Sequence, residues 1–306
     1  MLITCPHCKK EHHLEEARLP LKTTTARCRT CGFRFQIRPS GETKIPDTTS
    51  GHKNTRSISI SLSKGGVGKT TTAVNLAAGL AHAGYQVLLV DTDTQGQVSY
   101  MLGVHPPAGL TELITGELSA EEAICPARER LWLLAGGRSL AGIKRLIDRK
   151  DFGGELTLKE SLQTIQDQYD YVIVDTSPGW DPLTVNVLFY VQEILIPVSL
   201  EIMTLQGLIE FQKSVSSIKK YRNNLAIKYI LPTFLDLRVK KKTNTFLNRL
   251  QEHYPKHLCQ PIRYNNILSQ TPMYGKTIYE YAPGSKGTED YKELVRKITG
   301  KQELFN

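Results

Sequence analysis

The stretch "SKGGVGKTTT" (residues 63–72) decides the fold. Gly65, Gly66, Val67 and Gly68 form a loop whose backbone N–H groups can close around an anion. The helix expected behind it turns its positive end to the same point. Lys69 is placed to reach the β- and γ-phosphates of a nucleotide and the Thr70 hydroxyl to ligate Mg²⁺, with Thr71 in the same nucleotide-binding set. Such a loop needs one lysine. A second, Lys64, precedes the glycines, and Ser63 stands where the usual pattern begins with glycine.

Outward from the loop the pattern is α/β. "SISISL" before it reads as a strand, and "TTTAVNLAAGLAHAG" after it as a helix closed by Gly84. "QVLLVD", "LWLLAG", "YVIVDT", "EILIPV" and "IKYILPTF" read as further strands, largely apolar as parallel strands buried on both faces are. Helical spacing separates them in "LAGIKRLIDR", "LKESLQTIQDQY", "PLTVNVLFYV", "TLQGLIEFQKSVSSIKKY" and "TNTFLNRLQEHY". The alternation predicts a mostly parallel sheet covered by helices on both faces, with ligands at the carboxyl ends of its strands. Two of those ends carry carboxylates: Asp91 and Asp93 in "VLLVDTDTQG", and Asp175 in "YVIVDTSPG". Any one could be a strand-end cap. An unpaired carboxylate after a buried apolar run costs several kcal/mol, and Mg²⁺ would give it a partner.

The first 31 residues differ in kind. They hold Cys5-x-x-Cys8 and Cys28-x-x-Cys31, two knuckles at the spacing of a four-thiolate Zn²⁺ site, with "FRFQIR" alternating as a strand after the second. Disulfides are disfavoured in a reducing compartment, and a redox pair would need only one knuckle. His7, His12 and His13 read as surface residues beside four cysteines. Residues 1–38 resemble the zinc-ribbon module found at the N-terminus of various bacterial proteins. Residues 39–56, "PSGETKIPDTTSGHKNTR", are polar and aperiodic and read as a flexible linker to the α/β domain at 57–306.

Composition sets limits. No apolar run approaches the ~20 residues of a membrane span, and "MLITCPHCKK" lacks a signal-peptide h-region, which points to a cytoplasmic protein. The net charge is +9 and the pI about 9.2, with +5 carried by residues 1–40, so an anionic partner is expected.

The loop, "GYQVLLVDTDTQGQVS", "YDYVIVDTSPGWDPLTVNVL", "EILIPVSLEIMTLQGL" and "ILSQTPMYGKTIYEYAPGSKGTEDYKEL" together resemble the ParA/Soj branch of the deviant-Walker P-loop ATPases, which includes MinD. The resemblance covers residues 56–298. It implies that Lys64 crosses the interface of an ATP-sandwiched homodimer to the partner's phosphates. It also implies that Asp93 positions the attacking water, that Asp91 supports the Mg²⁺ shell and that Asp175 is the Walker B aspartate. The family's "I-P-x-N" base contacts fall on "IRYN": Asn265 matches, and Arg263 replaces the proline. Thr94 and Ser177 stand where the family has prolines.

The resemblance further implies non-specific DNA binding. One family arginine falls on Arg238 in "FLDLRVKKKTN", beside Lys240, Lys241 and Lys242. The second falls on Ile267, with Arg263 nearby in the chain. A solvated loop is the ordinary alternative for such a charge run.

The expectation is therefore an ATP-switched, nucleoid-associated ATPase that partitions or positions a cargo with an activating partner. A zinc-ribbon DNA-binding regulator whose oligomeric state ATP sets is the alternative. Membrane targeting is not expected, because "YKELVRKITGKQELFN" shows no sustained amphipathic helix with aromatic anchors. An iron–sulfur relative is set aside because Cys125 and Cys259 lie far apart in the chain, and a tyrosine-kinase relative because the tail has no tyrosine cluster.

Overall fold

The computed structural model describes residues 2–4, 10–13, 24–27, 30, 34–37, 43–44, 55–236, 238 and 240–305. The chain divides into two compact units, residues 1–53 and 54–306. In the first, β1 (Leu2–Thr4) pairs antiparallel with β2 (Glu11–His13). β3 (Thr24–Arg27), β4 (Arg34–Ile37) and β5 (Thr43–Lys44) form an antiparallel three-stranded sheet. β4 is the strand expected after the second knuckle. β5 lies within the segment expected as linker, where Thr43 and Lys44 pair with Ile37 and Gln36 along the free edge of β4. The four cysteines expected to bind zinc lie outside the described residues. In chain order Cys5 and Cys8 fall between β1 and β2, and Cys28 and Cys31 between β3 and β4.

The second unit is built on seven strands: β6 (Arg56–Ile60), β7 (Val87–Asp91), β8 (Ile124–Arg128), β9 (Leu131–Leu134), β10 (Tyr171–Asp175), β11 (Glu193–Ser199) and β12 (Ala226–Thr233). Their order is β12-β11-β6-β10-β7-β9-β8, parallel throughout except for β8, which runs antiparallel to β9. The expected α/β P-loop architecture is thus the observed one. β7 and β10 are buried at every position and send alternate side chains to the two faces. Leu88, Val90, Val172 and Val174 join one core cluster, while Val87, Leu89 and Ile173 join the other with Leu76, Leu80, Tyr291 and Val295. Each such side chain contributes roughly 1.5–3 kcal/mol on burial.

Three departures from the sequence reading have physical causes. β8, "ICPAR", lies at the sheet edge, where Pro126 is exposed and the ladder shifts register beside it. At the opposite edge, β12 is covered by residues 257–264: Ile230 N donates to His257 O, Cys259 N to Ile230 O, and Ile262 N to Pro232 O. The tail supplies the second departure. Lys286–Thr299 is an amphipathic helix, and its face of Tyr291, Leu294, Val295 and Ile298 is buried in the core cluster that includes the helix Lys69–His82. The third lies in "LKESLQTIQDQY", which is helical only over Thr157–Leu162 before a 3₁₀ turn at Gln166–Gln168.

Cys125 stands on the β8 edge and Cys259 beside β12, at opposite ends of the sheet order. Burial pushes the Cys259 thiol up to about 12. Among the described residues no helix is long and apolar enough to cross a membrane.

Candidate nucleotide site

The glycine loop joins β6 to the helix Lys69–His82 at the carboxyl end of the sheet. Gly66 and Gly68 adopt φ of 74° and 84°, the left-handed region that glycine enters at little cost. The amides of Gly65, Gly66, Val67 and Gly68 find no acceptor among the described residues, which leaves four unpaired donors in the loop. Val67 is held from behind, its carbonyl accepting from Thr233 Oγ1 at 3.0 Å. A Cβ on Gly68 would sit 3.2 Å from Phe234 Cζ, so the end of β12 closes the loop's other side.

Gly65, Gly66, Gly68, Lys69, Thr70 and Thr71 line a cavity of about 460 Å³. The rest of the wall brings in Asp93, Thr94, Gln95, Gln97, Lys144, Thr176, Ser177, Pro178 and Asp181. Lys69 is buried, and its Nζ donates to Lys64 O at 2.8 Å. Burial lowers its pKa, against the pull of Asp175 and Asp93. Lys64 itself is exposed, stands outside the cavity wall, and lies beside the helix Ile202–Lys219 at Gly207. Its amino group has no partner among the described residues. The loop thus directs one lysine inward and leaves the other free on the surface.

The three aspartates have separate environments. Asp93 lines the cavity, and its Oδ1 accepts from Gln95 N at 3.0 Å. Asp91 is not in the cavity wall. Its carboxylate holds the turn, accepting from Asp93 N at 2.9 Å and Val98 N at 3.4 Å, and burial raises it to about 7. Asp175, its register partner on β10, is fully buried with neither oxygen hydrogen-bonded. Burial raises its pKa well above the usual carboxylate range and the Asp91 charge adds to this, while the nearby Thr70 hydroxyl and Lys69 act against it. An orphaned buried carboxylate close to a threonine hydroxyl suits a hydrated divalent cation. Thr70 and Asp175 would hold Mg²⁺, which supplies charge neutralisation of the phosphates.

The turn carrying Asp91 and Asp93 is packed from above by residues the sequence reading did not single out. "LWLLAG" stops being a strand at Leu134, and Gly136 lies over the turn. A Cβ there would stand 2.7 Å from Asp91 O, 2.8 Å from Asp93 O and 2.9 Å from Asp91 Cγ, while Gly137 N donates to Asp93 O. Lys144 and Asp181 were also missed. Asp181 followed by Pro182 is a legible helix start, and Asp181 does cap Pro182–Tyr190 by accepting from Thr184 N at 2.8 Å. Nothing in the sequence placed that cap, or a lysine of "LAGIKRLIDR", on the cavity wall.

A second cleft, about 490 Å³, is lined by Leu235, Asp236, Arg238, Arg263, Tyr264, Asn265 and neighbours. Asn265, expected at the base, lines this second cleft and not the phosphate cavity. Its Oδ1 also accepts from Ile267 N and so caps Asn266–Gln270. The two arginines expected at DNA are otherwise engaged. Arg238, exposed, grips Asp236 through Nε and Nη2 at 2.7–3.1 Å, and Asp236 is pushed down to about 2. Arg263 forms a two-point ion pair with the buried Asp290 of the C-terminal helix. Ile267 is half-buried against the core. Lys240, Lys241 and Lys242 open the helix Lys240–His253; their side chains lie outside the described residues.

Residues 55–227 match the family model of the AAA domain, and residues 1–36 that of the zinc-ribbon domain. The chain is 32% identical over 248 residues to the sporulation initiation inhibitor protein Soj of Bacillus subtilis, covering 79% of this chain and 97% of Soj. It is 33% identical over 249 residues to the chromosome partitioning protein ParA of Myxococcus xanthus, covering 79% and 87%. The structure of a point variant of McdA from Cyanothece in complex with ATP is similar, with a TM-score of 0.73 at 23% identity over 82% of this chain and 99% of that one. So is that of cobyrinic acid a,c-diamide synthase from Mycobacterium smegmatis with a bound ATP analogue and magnesium, with a TM-score of 0.68 at 27% identity over 82% and 98%.

Proposed function

The chain belongs to the ParA/Soj family of P-loop ATPases, and on that premise we propose that it is an ATP-operated dimerisation switch that binds DNA without sequence preference and partitions or positions a cargo. The observation that carries the reading is the division of labour between the two loop lysines. Lys69 is buried in the phosphate cavity, whereas Lys64 projects from the same loop with its ammonium unpartnered among the described residues. A second nucleotide-bearing copy brought face to face supplies the anion that Lys64 lacks. Hydrolysis, with Asp93 holding the attacking water, removes the γ-phosphate charge and weakens the assembly. The activating partner and cargo adaptor are proteins the chain itself does not specify.

Two further parts belong to this reading. Cys5, Cys8, Cys28 and Cys31 hold one Zn²⁺ in the ribbon; this rests on their spacing and on the zinc-ribbon match over residues 1–36. Arg238 and the Lys240–Lys242 run supply phosphate contacts, and the protein works in the cytoplasm on the nucleoid.

Light scattering with Mg·ATP tests the switch. The wild type is expected to dimerise and Lys69→Ala to lose ATP binding, while Lys64→Ala binds ATP and stays monomeric. Normal ATP-dependent dimerisation of Lys64→Ala would overturn the reading.

A further inference from the structure

Ser177 follows the buried Asp175–Thr176 pair at the end of β10 and lines the phosphate cavity beside Pro178, which stands against Gly65 of the glycine loop. Its Oγ donates to Asp181 Oδ2 at 2.7 Å. The same Oδ2 takes Lys144 Nζ at 2.6 Å, and Asp181 Oδ1 is held by Thr184 N. Asp181 therefore has every reason to stay ionised: despite its burial, Lys144, the Thr184 amide and the Ser177 hydroxyl together hold it below the usual carboxylate range. An ionised carboxylate only accepts hydrogen bonds, so the single proton of the Ser177 hydroxyl is committed to it. What remains on Ser177 is a pair of acceptor lone pairs, in the same cavity wall as Asp93.

From this geometry we propose that Ser177 is a second water-positioning group for hydrolysis, its oxygen fixed as an acceptor by Asp181 and Lys144. The inference rests on the ATPase reading above. Asp93 and Ser177 each accept one O–H of the attacking water and so aim its lone pair at the γ-phosphorus. The new P–O bond forms as the bond to the β–γ bridging oxygen breaks. The electron pair leaves with ADP, and the water's proton passes by way of Asp93 to solvent. Two acceptors fix the water in two directions where one would let it swing, an effect on the chemical step with no counterpart in nucleotide affinity. A hydroxyl free to rotate would as readily present its proton to the water. The pairing with Asp181 removes that choice, and Lys144 is a positioning residue at one remove.

The test is steady-state phosphate release with Mg·ATP, read alongside nucleotide Kd and the thermal midpoint, for the full chain and three variants. Ser177→Ala is expected to lower kcat about tenfold with KM and Kd within twofold. Ser177→Cys, nearly isosteric but a poor acceptor, should fall as far, which separates the oxygen from the packing. Ser177→Thr, which keeps the hydroxyl, should return kcat to within threefold of the wild type. An unchanged kcat in Ser177→Ala overturns the proposal, as does a loss carried by KM or a Ser177→Cys that turns over normally. Each of these results concerns Ser177 alone. Failure of the wild type to dimerise with ATP would instead overturn the switch reading and leave the kcat comparison standing.

Discussion

Replacing Asp175 by asparagine should make the nucleotide-free protein more stable. Both carboxylate oxygens of Asp175 are buried with no hydrogen-bond partner, and the Asp91 carboxylate acts on it across the sheet. A buried polar group left unpaired costs about 1–3 kcal/mol, more when charged. Asparagine keeps the shape and is neutral without taking up a proton, so it avoids the cost of either protonating or charging a buried carboxyl, and a gain of roughly 1–3 kcal/mol is expected at neutral pH. For a domain of about 250 residues each kcal/mol is worth about 2–4 °C, which gives a rise of roughly 2–12 °C. The pH dependence has a definite sign. Burial raises the Asp175 and Asp91 pKa values above their unfolded ones, so the folded chain holds protons that the unfolded chain has released. Wild-type stability is therefore favoured below about pH 4, and that advantage is lost as the pH rises through about 7, where Asp91 titrates, and beyond it for Asp175. The Asp175→Asn curve should be flatter. Mg·ATP should stabilise the wild type beyond ATP with a chelator, and the variant should lose that difference. Thermal unfolding at several pH values, with and without Mg·ATP, measures each part. A variant less stable than the wild type without nucleotide, or one that keeps the full Mg²⁺-dependent shift, would refute the reasoning.

Gly136→Ala should slow ATP turnover at least tenfold with ADP affinity nearly intact, because its Cβ displaces the turn carrying Asp93 and not the glycine loop; an unchanged kcat would mean the turn yields freely. Metal analysis should find about one zinc per chain. Chelation should unfold the ribbon, whose folding free energy is of the order of ten kcal/mol from the metal, while ATP binding persists; a Cys5→Ser/Cys28→Ser variant retaining full zinc would rule out these ligands. Asp236→Asn should release Arg238 from its ion pair and steepen the slope of log DNA affinity against log salt by up to about one unit for every DNA sequence alike; no change would remove Arg238 from the DNA surface. The ribbon's own share of DNA binding is measured with a chain beginning at residue 54, since Thr55 is buried and donates to Gln166 O and Tyr169 O.

The long apolar runs made the sheet readable, because a strand buried on both faces needs apolar residues at every position and little else produces them. β8 escaped for the opposite reason: an edge strand obeys weaker constraints, and "ICPAR" meets only those. The C-terminal helix could have been found. Tyr291, Leu294, Val295 and Ile298 fall at i, i+3, i+4 and i+7, and the charges between them hid a stripe that the spacing alone discloses. In the site, Lys69, Thr70 and Asp93 stand where local sequence put them, since a phosphate loop is a local structure. Asp91 shows the limit of that reading. A carboxylate two residues from Asp93 looks like a companion ligand, and only the fold shows it spent on the backbone amides of Asp93 and Val98. Lys144, Gly136 and Ser177 acquire meaning from elements that approach across the sheet, which no single stretch encodes.

The two borders of the large sheet bear on how this protein behaves when concentrated. On one side β8 is register-shifted and interrupted by a proline that has no N–H to offer; on the other, residues 257–264 hydrogen-bond to the main chain of β12. Both borders thus carry features that discourage a neighbouring molecule from laying a strand on this sheet. At high concentration this sheet therefore resists edge-to-edge pairing with a neighbouring copy.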